Sequence, residues 1–131
     1  MTLPWEILVV SSDLENRRPL ISILHQQGWD AVCASTIDEA MAVLTNETVG
    51  LVFCDQHLAD GSYRDFLAAS RYLRRTVRTV VTSADWDESS DAVRLGAFDV
   101  IASPCRPTDV EWMVIQAKRA ERNRTQPPVP A

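Results

Sequence analysis

A chain of 131 residues, 46% of them hydrophobic, has room for one domain around a single sizeable core and is too apolar to remain disordered. Its 13 basic and 18 acidic side chains leave a net charge of -5, which argues against generic nucleic-acid binding. No apolar run approaches the roughly 20 residues of a membrane span, and Met1 to Glu6 lacks the basic start of a signal peptide, so a cytoplasmic chain with no membrane contact is expected.

Glu6-Ile-Leu-Val-Val10 is a β-branched run that stops at Ser11-Ser12-Asp13, a first strand. A helix is predicted within residues 14–27, with Leu20, Ile21 and Leu24 inward and Gly28 ending it. Pro19 conflicts with a start at Leu14, because it removes a donor and crowds residue 15, so a start nearer Asn16 or a bend is expected. Residues 29–34 read as a second strand, and Thr36-Ile-Asp-Glu39 as a capping box opening a helix that buries Ala40, Val43 and Leu44.

Val49 to Asp55 is the third strand, an apolar run that ends abruptly in a carboxylate. A loop through Asp60-Gly61 follows, then a helix predicted over 63–75 from the spacing of Phe66, Leu67, Ser70 and Leu73. Residues 78–82 form the fourth strand, 89–95 a short helix, and 98–102 the fifth strand, which stops at Ser103-Pro104. Thr108-Asp-Val-Glu111 reads as a second capping box, opening a last helix with Val110, Met113, Val114 and Ala117 on its core stripe. One domain is expected over residues 1–122, with 123–131, rich in proline, as a tail or linker start. Cys33, Cys54 and Cys105 are odd in number and fit neither a disulfide framework nor a metal pattern; Cys33 and Cys54 are expected as small buried hydrophobes.

Five strands alternating with five helices imply an α/β fold, a parallel sheet covered on both faces. In such a sheet every strand's carboxyl end lies on one edge, which is where open α/β sheets bind ligands and do chemistry. That edge would gather Ser11, Ser12, Asp13, Asp55, Ser83 and Ser103. For Ser12, Asp13 and Ser83 ordinary helix capping explains the residue type. Asp55 differs, because the next helix starts several residues later. A carboxylate there can ligate Mg²⁺ or attack a phosphoryl group to form an acyl phosphate, with Ser83 as a hydroxyl for the phosphoryl oxygens. No lysine lies near these strand ends; Lys118 is in the last helix. No glycine-rich cradle follows strand one, and no nucleophile elbow supports a Ser/His/Asp system using His57, which reads as a solvent-facing loop residue.

The runs Ile7-Leu-Val-Val10, Asp55-x-x-Leu58-x-Asp60-Gly61-Ser62, Ser83-Ala84 and Leu95-Gly-Ala-Phe-Asp-Val100 followed by Pro104 together resemble the receiver domain of two-component response regulators, over about residues 6–122. The resemblance implies a flavodoxin-like, doubly wound five-stranded sheet of order 2-1-3-4-5. It implies a cytoplasmic, non-enzymatic signalling module that takes phosphate from a histidine kinase or phosphotransfer protein. On it, Asp55 is the phosphoacceptor that would become phosphoaspartate, Ser83 the phosphoryl-binding and switch hydroxyl, and His57 the residue whose backbone carbonyl would ligate Mg²⁺ beside Asp55 and, marginally, Asp13. Four positions depart from the family's pattern: Ser11 and Ser12 replace its acidic pair, Ser103 its lysine and Val100 its aromatic switch; Ala59 also stands where a proline is usual. Losing those carboxylates and the ammonium leaves at most weak Mg²⁺ binding.

Two readings follow from this mixture. In one, Asp55 takes phosphate in a phosphorelay; in the other, the domain is a pseudo-receiver that binds a protein partner independently of phosphorylation. The resemblance also implies signalling or homodimerisation through the face of helix four, strand five and helix five. There Trp112 and Ile115 fall off the core stripe of the last helix and are candidate partner contacts.

Overall fold

A computed structural model describes residues 5–85 and 89–125. The chain runs β1 (Glu6–Val10), α1 (Leu14–Gln26), β2 (Ala31–Ala34), α2 (Ile37–Asn46), β3 (Val49–Asp55), β4 (His57–Leu58), β5 (Gly61–Ser62), α3 (Tyr63–Ser70), β6 (Thr79–Ser83), α4 (Ser89–Arg94), β7 (Asp99–Ala102) and α5 (Pro107–Thr125). Five strands pair in parallel in the order β2-β1-β3-β6-β7, the predicted topology with β3 at the centre between β1 and β6. The two-residue strands β4 and β5 form a small antiparallel hairpin, which the sequence reading treats as loop.

Successive side chains of a strand point to opposite faces, and the central strands supply apolar residues to both. Ile7, Val9, Leu51 and Phe53 meet Leu20 and Leu24 of α1 and Val110, Met113, Val114 and Ala117 of α5. Leu8, Val10, Val52 and Cys54 meet Ile37, Ala40 and Leu44 of α2, Tyr63, Phe66 and Leu67 of α3, and Ala92 of α4. These two cores hold the sheet rigid beneath its edges.

Several boundaries differ from the sequence reading. α1 starts at Leu14, ahead of Pro19: Asp13 caps it by accepting from Glu15 N at 2.9 Å, and Arg17 N donates to the Asp13 carbonyl. Both Pro19 and Glu15 are exposed, so the bond Pro19 cannot donate is missing on the solvent side of the helix. α3 stops at Ser70, five residues short of the expected end. Continuing it would stack Arg71 on Arg74 and Arg75 at helical i,i+3 and i,i+4 spacing, and like charges so placed repel. The Ser70 hydroxyl instead bonds back to the Leu67 carbonyl.

α5 begins at Pro107, with proline in the first helical position where its missing N–H costs nothing. Val110 N already donates to the Arg106 carbonyl, so Thr108 is inside the helix and is not its cap. The helix continues to Thr125, and residues 126–131 lie outside the described residues. β2 starts at Ala31, because Trp29 N closes the end of α1 on the Leu24 carbonyl. Val43 is half-buried on α2. Cys33 is exposed, contrary to expectation, because it lies on the sheet's outer strand; Cys54 is buried as expected and Cys105 half-buried.

Candidate functional site

β3 carries Asp55 to the carboxyl edge of the sheet, in register with Thr82 on β6. The carboxylate is only 8% exposed. Ser11, wholly buried at the end of β1, donates to Asp55 Oδ2 at 2.5 Å, and Thr82 donates to Oδ1 at 2.7 Å. The Ser11 hydroxyl also lies 3.0 Å from the Asp13 carbonyl, but its single proton belongs with the closer, charged acceptor. Hydrogen bonds to a charged group contribute about 1.5–3 kcal/mol each, and losing one in a buried site leaves the desolvation cost behind. Asp55 is thus held between two short hydroxyls that fill the space beside it.

The other strand-end residues are placed as follows. Ser83 is buried next to Thr82, yet its hydroxyl turns away from Asp55: it donates to Gln56 Oε1 at 2.7 Å and accepts from Asp85 N at 2.9 Å. Thr82 and Gln56 are the residues the sequence reading missed. The signal was the strand's own alternation, since only one of two successive residues can face Asp55. Ser12 donates to the Ser35 carbonyl and accepts from Ala59 N at 2.8 Å, fastening the loop after β1 to the loops after β2 and β4. Ser103 is half-buried and its backbone N donates to the Ser83 carbonyl; the Ser103–Pro104 peptide is cis. Val100 is half-buried against the α2–α3 core.

Asp60 does not turn to the site. Its carboxylate accepts from Ile37 N at 2.9 Å and caps α2 from across the fold. Gly61, at φ +153, leaves room for the Asp65 carboxylate, which completes a capping box with Ser62 at the start of α3. The Ser-x-x-Asp spacing is the signal of this box in the sequence.

Asp55's charge reaches two cysteines. Burial, then the charge of Asp55, lifts the Cys54 thiol far above its ordinary value. The same two causes, with Asp109 a third, push Cys105 up to about 12. Neither thiol is a nucleophile at neutral pH.

A metal needs more than one carboxylate here. Asp13 spends its Oδ1 on the α1 cap and is exposed, and both Asp55 oxygens hold hydroxyl protons. The His57 side chain is exposed on β4. Among the described residues no three His, Cys, Asp or Glu side chains come together as a cation site. The residues present do not fit a Mg²⁺ centre of the receiver kind, which rests on an acidic pocket.

On the outer face of α5, Trp112 is 54% and Ile115 37% exposed. Ile115 lines a cavity of about 340 Å³ with Gln27 and Trp29, which follow α1, and with Glu111, Val114 and Lys118.

The strand order is the flavodoxin-like one, with the buried Asp55 at its carboxyl edge. No family model matches the chain. It is 30% identical over 103 residues to the alginate biosynthesis transcriptional regulatory protein AlgB of Pseudomonas aeruginosa, covering 77% of this chain and 23% of AlgB. It is 28% identical over 112 residues to the acid tolerance regulatory protein ActR of Rhizobium meliloti, covering 84% of this chain and 58% of ActR. The chain therefore spans about a quarter of one relative and little more than half of the other. Among solved structures it resembles a CheY-like response regulator receiver domain protein from Methanospirillum hungatei, with a TM-score of 0.78, 25% identity, and coverage of 93% of this chain and 99% of that one. These homologues and structural neighbours are response regulators and receiver domains, and they support a receiver function in two-component signalling.

Proposed function

We propose that the chain receives phosphate on Asp55 from a histidine kinase or phosphotransfer protein, at a site whose chemistry rests on hydroxyls in place of a metal and a lysine. The observation that carries this reading is the Asp55 carboxylate at the carboxyl edge of the sheet, with Ser11 and Thr82 on its two oxygens. In transfer, one Asp55 oxygen attacks phosphorus, the bond from phosphorus to the donor imidazole breaks, and the imidazole leaves with a proton taken up from solvent. The attacking oxygen must first release its hydroxyl partner. Ser11 and Thr82, freed from carboxylate oxygens, can then donate to the phosphoryl oxygens, the role the sequence reading gave to Ser83. A single carboxylate holds a divalent cation weakly, so Mg²⁺ contributes little.

The described residues contain no helix long and apolar enough to cross a membrane, in keeping with a cytoplasmic module. A domain that closes with α5 and a partner contact through Trp112 on the α4–β7–α5 face belong to the same proposal. Intact-mass measurement after incubation with a small phosphodonor tests it: a single phosphoryl adduct is expected, and it should vanish in Asp55→Asn. One observation favours a second reading, the pseudo-receiver. Asp55 is nearly closed off, with every oxygen already paired. Absence of any adduct, together with partner binding that survives Asp55→Asn, would establish that reading.

A further inference from the structure

The amino edge of the sheet carries an opening that the Asp55 site does not use. It is a cleft of about 750 Å³ whose lining includes Trp5, Thr48, Gly50, Tyr72, Arg74 and Arg75. Small-ligand sites typically measure about 300–1,000 Å³. Charge is the first feature that sets its wall apart. Arg74, Arg75 and Arg78, three of the chain's 13 basic residues, line it against a single acid, Glu121.

One of these three is occupied: Arg78 pairs with Glu121 at 2.7 Å. Arg74 and Arg75 stand exposed at the cleft, Arg75 reaching only the Thr48 hydroxyl at 3.2 Å, and no hydrogen bond or ion pair engages Arg74 among the described residues. An anion is repelled by most of a chain with net charge -5 and attracted here.

Tyr72 is the second feature. It lines the same cleft and is 91% exposed, a flat ring left in solvent. The third is the wall itself: a Cβ on residue 50 would lie 1.8 Å from Trp5 Nε1, so glycine lets the indole press against bare β3 backbone. The Trp5 ring is braced by Trp29, with centroids 5.4 Å apart, and by the Lys118 ammonium. The cleft is therefore a built hollow with a firm side.

We propose that this cleft binds a nucleotide, its phosphates on Arg74 and Arg75 and its base on Tyr72. Planar guanidinium forks match phosphate oxygens, and an exposed aromatic face accepts any base by stacking. A bare phosphate would leave most of the volume and the ring unused. An acidic peptide would use the arginines but not the ring.

The test is isothermal titration of the full chain with AMP and GMP, using pyrophosphate as a control without a ring and a short polyglutamate peptide as the acidic alternative. At least one nucleotide should bind saturably with a Kd at or below about 1 mM. Arg74→Ala with Arg75→Ala should weaken it about tenfold or more, and Tyr72→Ala about fivefold while leaving pyrophosphate unchanged. All three side chains are exposed, so the variants should melt as the parent does. Asp55→Asn should bind nucleotide normally, which keeps this proposal separate from phosphotransfer. No heat with either nucleotide up to about 5 mM, affinity unchanged in the double arginine variant, or tighter binding of polyglutamate than of nucleotide would each overturn it.

Discussion

The two edges of this sheet solve opposite problems. At the carboxyl edge, Ser11, Asp55, Thr82 and Ser83 are all buried, and each side-chain oxygen has a nearby partner. At the amino edge, Arg74 and Tyr72 face solvent around a cleft of about 750 Å³. Short hydroxyls are what make the difference. Serine at 11 is small enough to fold inward onto Asp55 and the exposed Ser12 to bond to neighbouring loops, whereas a set of carboxylates would repel one another and hold the edge open for a cation. The same parallel sheet thus presents a closed, self-satisfied edge around Asp55 and an open, charged edge at its amino end.

The largest effect should come from unsatisfying Asp55. Ser11→Ala combined with Thr82→Val leaves the carboxylate buried with neither donor and should cost about 2–5 kcal/mol in urea unfolding. In an Asp55→Asn background the same pair should cost clearly less, since these residues act as one network. If the two costs were equal, the clamp would not exist in solution.

Thiol labelling reports next on how closed that edge is. At pH 8, exposed Cys33 should react about a hundredfold faster than Cys105, whose thiol is pushed up to about 12, and than buried Cys54. Three equally fast thiols would show an open edge.

At the amino edge, Gly50→Ala should cost about 1–3 kcal/mol by driving a methyl group into Trp5. Tryptophan emission should shift to the red as Trp5 leaves its seat. An unshifted spectrum would mean the indole does not rest there.

Glu6, at the start of β1, gives the smallest effect. A hydrogen bond with Glu47, then burial, then the Glu47 charge raise its pKa above the ordinary 4.5. The folded state therefore binds more proton than the unfolded one above pH 4.5, and stability falls as pH rises through the window between the two pKa values. Glu6→Gln should flatten that fall, read as the urea midpoint against pH. An unchanged slope would remove the carboxyl pair from the account.

Much of the fold was legible because its signals are periodic. Apolar runs ending in polar residues gave the strands, and their alternation with helical stripes gave the parallel sheet. Asp55 stood out for the same reason, as the charge that ends a buried strand. What surrounds Asp55 was harder to read. A strand's two faces differ by one residue, so choosing Ser83 over Thr82 for the neighbouring hydroxyl is a choice of parity, fixed only by the register of β6 on β3. The end of α3 depended on repulsion among arginines that a stripe of apolar residues does not register. Cys33 looked buried in its local run, and only the position of β2 at the sheet's edge exposes it. The Trp5 seat on Gly50 joins residues 45 positions apart, and nothing local announces it.

The central claim is that Asp55 takes phosphate in a site without an acidic metal pocket. Its most direct test is the rate of adduct formation from a small phosphodonor, followed by intact mass with and without Mg²⁺. The account predicts an adduct confined to Asp55 whose rate changes by less than about twofold between metal-free buffer and about 10 mM Mg²⁺. A rate that rises more than about tenfold with Mg²⁺, or no adduct at all, would contradict it.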